Sequence, residues 1–482
     1  MALEVEKSRL FKEVELPRKR DLLSIGFLRR IVTHRAFQFA VILPNLLIFW
    51  LVIVAGFFGT PVGNMNISIT FVWMLWWFAL IALMVPFASR VWCTVCPIPA
   101  FGEWIQRRGL IRKATKENPT SKGRAWPRKL RNIWPQNLGF LMIATFSALL
   151  VTRPQATALI FVFLIVIATV VALSYSRRAF CRYLCPVGGF LGLFSMFSSL
   201  ELRAKDKDLC KRHVSKDCVK GCDVSFGCPW FEYPGTMDRN NYCGLCFECV
   251  KACPFDNIAL RTRSFGKDLL VKAGRGLDEA WKVFIMLTLA VLYIVVMQGP
   301  WGTIRDWANV FYLPPYGWGF TGVDSFLLYA GIFWGSTLLV IPGIFLGFTS
   351  LSRYLGGRQV RLKEAFASLA YAAVPLALAA WIAFSIPIIM VNWSYIVVTI
   401  SDPFGWGWNL IGTRDVAWQP LLPELIPYLQ MAVLNIGLAF SAYTGFIIVR
   451  ETFGPERSLR AFFPLLTFLL LAAALLAWLF TG

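Results

Sequence analysis

Apolar runs long enough to cross a bilayer dominate the chain, and short polar stretches interrupt them. A helix rises about 1.5 Å per residue, so a hydrocarbon core of about 30 Å needs roughly 20 residues. Runs of that kind fall near residues 37–59, 67–88, 137–152, 155–175, 281–299, 324–349, 368–391, 428–450 and 461–480. The pattern predicts a polytopic α-helical membrane protein of about nine transmembrane helices. The run 137–152 is the shortest, with Thr152-Arg153-Pro154 close behind it. One stretch breaks the pattern for longer than a loop: residues 201–265 are polar and rich in cysteine. Four blocks follow. They are a basic segment 1–36, a four-helix membrane unit 37–200, the insert 201–265 and a C-terminal five-helix unit in 266–482. The last block contains neither Cys nor His.

Composition agrees with this layout. The 482 residues are 57% hydrophobic and only 16% charged, less charge than a soluble chain of this length carries. The net charge of +21 would suit a nucleic-acid binder, but its distribution argues for a membrane. Lys and Arg gather in alternate connections, among them Lys7, Arg9, Arg29, Arg30 and Arg35, then Arg107, Arg108, Arg112, Lys113, Lys116, Arg128, Lys129 and Arg131. The opposite loops hold Arg153, Arg305 and Arg414. The positive-inside rule then puts the N-terminus and the insert on the cytoplasmic side of the inner membrane and, with nine spans, the C-terminus outside. The first span reads as a retained anchor and not as a cleaved leader. Tryptophans near predicted borders, such as Trp76, Trp77, Trp92, Trp134, Trp281, Trp406 and Trp408, fit an aromatic belt, and a quinone site lined by some of them is a further reading.

All twelve cysteines fall on or near the predicted cytoplasmic side, where thiols stay reduced and clusters of them read as metal ligands. Four belong to an internal repeat. After the second span the chain reads Ser89-Arg90-Val91-Trp92-Cys93-Thr94-Val95-Cys96-Pro97. After the fourth it reads Ser176-Arg177-Arg178-Ala179-Phe180-Cys181-Arg182-Tyr183-Leu184-Cys185-Pro186. Parallel repeats related by an axis along the membrane normal bring such ends together. Three readings of Cys93, Cys96, Cys181 and Cys185 stand at this stage: a third iron–sulfur centre, another metal or a redox-active dithiol, or packed thiols. Arg90, Arg177, Arg178 and Arg182 suit either stabilised thiolates or plain membrane anchoring.

The insert carries Cys243-Gly-Leu-Cys246-Phe-Glu-Cys249-Val-Lys-Ala-Cys253-Pro254. Its C-x2-C-x2-C-x3-C-P spacing resembles the ligand run of bacterial ferredoxins, whose fourth Cys serves the other cube of a two-cluster domain. The partner set is Cys210, Cys218, Cys222 and Cys228-Pro229, at wider gaps. If that crossed ligation holds, Cys243, Cys246, Cys249 and Cys228 bind one [4Fe-4S] cluster. Cys210, Cys218, Cys222 and Cys253 then bind a second. The alternative, structural zinc, favours two short knuckles separated by a spacer, which this continuous run lacks.

Membrane hairpins ending in Cys-x3-Cys-Pro and followed by a two-cluster insert resemble the NapH/NosR-type membrane polyferredoxins, over about residues 37–262. Cys181-Arg-Tyr-Leu-Cys185-Pro186 fits that motif in full, and Cys93-Thr-Val-Cys96-Pro97 is one residue shorter. The resemblance implies delivery of electrons to respiratory reductases. The covalent flavin of the nitrous-oxide-linked members is not expected, because its Ser/Thr-Gly-Ala-Thr attachment motif is absent from the sequence.

Other classes are disfavoured. Haem b needs paired axial ligands on facing helices, and the two histidines, His34 and His213, lie outside the spans. Ion pumps need ionisable groups within spans, whereas Lys282, Asp324 and Arg450 read as span ends. The expectation is an iron–sulfur electron-transfer subunit between a cytoplasmic or quinone-level donor and a partner redox subunit, and not itself catalytic. The rival is a non-conducting membrane factor for cofactor assembly or redox sensing.

Overall fold

The computed structural model describes residues 21–117, 119–297, 311–312, 319–320 and 323–481. The first 20 residues of the expected basic segment, and most of the outer loop 300–323 with Arg305, lie outside the described residues. Eight described helices are long and apolar enough to cross a membrane. They are Phe37–Phe58, Ile67–Ala88, Pro154–Ser174, Leu277–Met297, Asp324–Leu355, Leu362–Ser401, Pro423–Phe453 and Ser458–Thr481.

The expected span 137–152 is helical but interrupted. It forms Trp134–Thr145 and Ser147–Thr152, joined at Phe146, whose φ of −96° and ψ of 16° leave the helix. Pro154 then opens the next helix at a position where its missing N–H costs nothing. The span Ile67–Ala88 contains two wide π-helical stretches, Thr70–Trp76 and Ala79–Met84. Such turns often accompany functional sites.

The two membrane units pack directly on each other. Leu277–Met297 and Leu362–Ser401 are the most enclosed of the long helices. Trp381 lies 5.3 Å from Trp77, ring to ring, and its indole N–H donates to the Met286 carbonyl at 2.8 Å. Thr70 and Thr399 join their hydroxyls at 2.7 Å. At one end of the bundle, the Thr60 N–H donates to the Phe404 carbonyl and the Ile67 N–H to that of Pro403.

The insert closes the other end. Its frame is an antiparallel pair of strands, Leu200–Ala204 and Ile258–Thr262, with Leu200 opposite Thr262 and Ala204 opposite Ile258. The cysteines lie on the loops and short helices between these strands. Leu202, Leu245, Phe247, Val250, Ile258 and Leu260 form a small core, completed by Leu23 and Val32 of the N-terminal segment. That segment is tied down by Arg29 to Asp256 at 2.6 Å and by the Leu260 N–H to Asp21 at 3.1 Å. Residues 21–33 are thus part of the insert's packing.

A buried carboxylate fastens the insert to the membrane unit. Glu279 accepts from Arg239 at 2.9 Å and from Asn241 at 2.7 Å, and is also bonded to the Tyr371 hydroxyl. Satisfying so many donors is what allows a charge to stay buried.

Candidate functional site

The two repeats bring Cys93, Cys96, Cys181 and Cys185 to the wall of one cavity. Cys93 sits in the short helix Trp92–Val95, and Cys96 ends it with extended backbone. Cys181 sits in Ala179–Tyr183, and Cys185 caps the helix Pro186–Ser195. The prolines explain a shared local geometry. Pro has no N–H, so the first amide able to turn back onto the cysteine sulfur is two residues on. Ile98 donates to Cys96, Val187 to Cys185 and, in the insert, Trp230 to Cys228. Gly188 adds a second donor to Cys185 at 3.3 Å.

Burial and the neighbouring sulfurs push three thiols up, Cys185 to about 11 and Cys96 and Cys181 further. A metal bound to these three thiols would therefore release protons.

A shell of buried polar groups holds the site. Glu103 sits between Arg107 and Arg178, at 2.5 Å from each. Burial opposes its charge, but the two guanidiniums hold its carboxyl below the ordinary value. Arg178 also donates to the Cys93 carbonyl at 2.9 Å. Arg90 lies 3.7 Å from the Cys93 sulfur, bonds the Asn241 carbonyl and stacks 4.6 Å over the Trp230 ring. The Gln136 amide donates to the Cys181 carbonyl at 3.2 Å.

The insert's cysteines gather in two further groups. Cys228, Cys243, Cys246 and Cys249 lie within electrostatic reach of one another, and burial first, then mutual repulsion, raises all four, Cys228, Cys243 and Cys246 to about 12. Leu245 and Phe247 adopt positive φ, 53° and 60°, a turn that leaves amides free to face the sulfurs. Leu245 donates to Cys243 and Glu248 to Cys246. Cys210, Cys218 and Cys253 line a second, small cavity with His213, Tyr233 and Asn257. The Asn257 backbone N–H donates to Cys253 at 3.3 Å and its side chain to Cys210 at 3.2 Å. Cys222 pairs its backbone with Ser225 and is not among the residues lining that cavity. His213 shares a hydrogen bond with Ser215 at 2.7 Å.

The three groups adjoin in a row. Cys249 is near enough to Cys218 to feel its charge, and Arg178 stands between Cys181 and Cys246. Gln38 donates to the Cys246 carbonyl at 3.2 Å and accepts from Arg107 at 2.9 Å. Among the described residues, no three His, Cys, Asp or Glu side chains gather as a single ion requires. A cube that gives one iron to each thiolate is wider, and the thiol sets with inward amides fit it.

The cavity beside the membrane-edge cysteines has a volume of about 480 Å³. Trp73, Trp76, Trp77, Phe161, Trp230 and Trp381 help to line it, and it reaches Thr152 at the far end of the broken helix. Sequence reading missed Gln38, Thr94, Glu103, Gln136 and Trp230. Their one visible signal is position, since Thr94 lies within a Cys-x2-Cys pair and Glu103 is an acid in a basic stretch.

Residues 69–116 and 157–205 each match the 4Fe-4S binding domain family. These are the two halves of the repeat, and they contain Cys93, Cys96, Cys181 and Cys185. The chain is 32% identical over 98 residues to an uncharacterised protein of Methanocaldococcus jannaschii, covering 20% of this chain and 37% of the relative. It is 50% identical over 38 residues to the methylamine utilization ferredoxin-type protein MauN of Paracoccus denitrificans, covering 8% and 13%. It is 27% identical over 128 residues to YccM of Escherichia coli, named as a candidate electron transport protein, covering 26% and 32%. The chain thus spans well under half the length of each of these relatives. No solved structure matches it.

Proposed function

We propose that this chain is an iron–sulfur electron-transfer subunit of a respiratory-type redox complex. One observation carries the reading: the four membrane-edge cysteines line the end of a large apolar cavity and adjoin the insert's cysteine loop. The membrane-edge set, the set Cys243, Cys246, Cys249 and Cys228, and the set Cys210, Cys218, Cys222 and Cys253 would each hold a [4Fe-4S] cluster. Each cluster would supply a one-electron couple. The protein's part is to bury the sulfurs, aim amides at them and keep the three sets adjacent, so that electrons need no large motion to pass.

The names of MauN and YccM support electron transport, and the matched family supports iron–sulfur binding. The basic connection 107–131 lies on the insert's side, where Lys116 bonds Asp223, which supports a cytoplasmic insert. Partner redox subunits would meet the far edge of the insert, where Val214 and Phe255 are exposed near Cys210 and Cys253. The apolar, tryptophan-lined cavity suits a quinone headgroup within reach of the membrane-edge cysteines.

Anaerobic purification with iron, sulfide and electron paramagnetic resonance analysis tests the reading. The expected result is roughly twelve iron atoms per chain and reduced-cluster signals. Zinc in their place, with no reduced-cluster signal, would end it.

A further inference from the structure

Lys282 is fully buried, at 0% exposure, and its ammonium has no hydrogen-bond partner among the described residues. It is one turn inside the helix Leu277–Met297. The carboxylates beside it on that helix are engaged elsewhere. Asp278 accepts from the Ile133 N–H at 3.0 Å, and Glu279 is held by Arg239, Asn241 and Tyr371. A buried, unpaired ammonium costs several kcal/mol unless a negative charge faces it.

What Lys282 does touch points to the membrane-edge cysteines. Its ammonium lies 4.6 Å over the Phe140 ring. It packs on Gly189 so closely that a β-carbon there would stand 3.3 Å from Nζ. Gly189 donates its N–H to the Cys185 carbonyl at 3.2 Å, and Gly188 donates to the Cys185 sulfur. Gln136, which also packs on Gly189, bonds the Cys181 carbonyl. Lys282 is within electrostatic reach of Cys185. Around this site Arg178 is already balanced by Glu103, whereas Arg90 and Lys282 make no ion pair among the described residues. A cube held by four thiolates carries net negative charge, and more of it once reduced.

We propose that Lys282 is the counter-charge of the centre held by Cys93, Cys96, Cys181 and Cys185, a positioning residue that favours its reduced state. The inference rests on the reading that these four cysteines hold a cluster. Glycine at 189 fits the same role, because any side chain there would push the ammonium away.

The test uses the full chain with Lys282→Met, similar in length and uncharged, in an anaerobic redox titration followed by electron paramagnetic resonance. One of three centres should shift to lower potential, its reduction equilibrium falling at least tenfold, about 59 mV for one electron. Selective loss of that one signal, with the insert's signals intact, would support the proposal equally. All three potentials unmoved in a fully loaded variant would overturn it. Lys282→Gln repeats the measurement should Lys282→Met fold poorly. An independent readout is the iron-free chain, where removing an uncompensated charge should raise the melting temperature of Lys282→Met, and a fall would count against the proposal. Wild-type protein holding only the insert's iron would overturn the underlying reading, an outcome distinct from unmoved potentials.

Discussion

The Thr94 hydroxyl lies 2.5 Å from the Gly244 carbonyl and 2.8 Å from that of Leu245. Thr94 is inside the membrane-edge pair Cys93–Cys96, and Gly244 is inside the insert's run Cys243–Cys246. One buried donor therefore joins the backbones of two cysteine groups 150 residues apart in sequence.

Thr94→Val removes this donor while keeping its shape, leaving two buried carbonyls short of a partner. The expected loss is about 1–3 kcal/mol, read by denaturation in detergent. Magnetic coupling between the two neighbouring centres should weaken as the loop relaxes.

Glu103→Gln should be far more damaging. It strips the carboxylate from between Arg107 and Arg178, both buried, and breaking such a pair costs about 3–5 kcal/mol. The amount of folded protein recovered from membranes, measured by fluorescence size exclusion, should fall sharply.

Cys96→Ser and Cys249→Ser should each remove about four iron atoms per chain, from different centres. Resonance spectra of the two variants should lack different signals. Identical spectra would mean that the two sets serve one centre.

Ala148 lines the cavity away from the cysteines and is 4% exposed. Ala148→Phe should fill the space there while iron content stays at the wild-type level. Reduction of the centres by a soluble quinol in nanodiscs should slow at least about tenfold, a loss of some 1.4 kcal/mol in transition-state binding. An unchanged rate would remove quinone from the cavity.

Sidedness can be read on Val214, 86% exposed in the insert, and Leu410, 64% exposed in the opposite loop. Val214→Cys should react with an impermeant maleimide only when the cytoplasmic face is open to the reagent, and Leu410→Cys only from the other face.

The apolar runs and the cysteine spacing were legible because both are local patterns. The gathering of Cys93, Cys96, Cys181 and Cys185 also followed from the sequence, since a repeat implies a symmetry. Phe146 was harder to read. Nothing in Ala144-Thr145-Phe146-Ser147 forbids a helix, so the break there reflects packing, with Phe146 against Phe326 at 5.5 Å. In the sequence Lys282 reads as a span end. The insert covers that end, and the coverage depends on Glu279 reaching residues some 40 positions earlier in the chain. Cys222 keeps its place in the spacing, although the small cavity is lined by Cys210, Cys218 and Cys253.

The split of the repeat also constrains biogenesis. Cys93 and Cys96 precede the hairpin formed by Trp134–Thr152 and Pro154–Ser174, and Cys181 and Cys185 follow it. A centre built from both pairs cannot close while that hairpin is still leaving the translocon. A cluster held by both pairs would therefore close only after the first membrane half is in place, later than one whose ligands come from a single stretch.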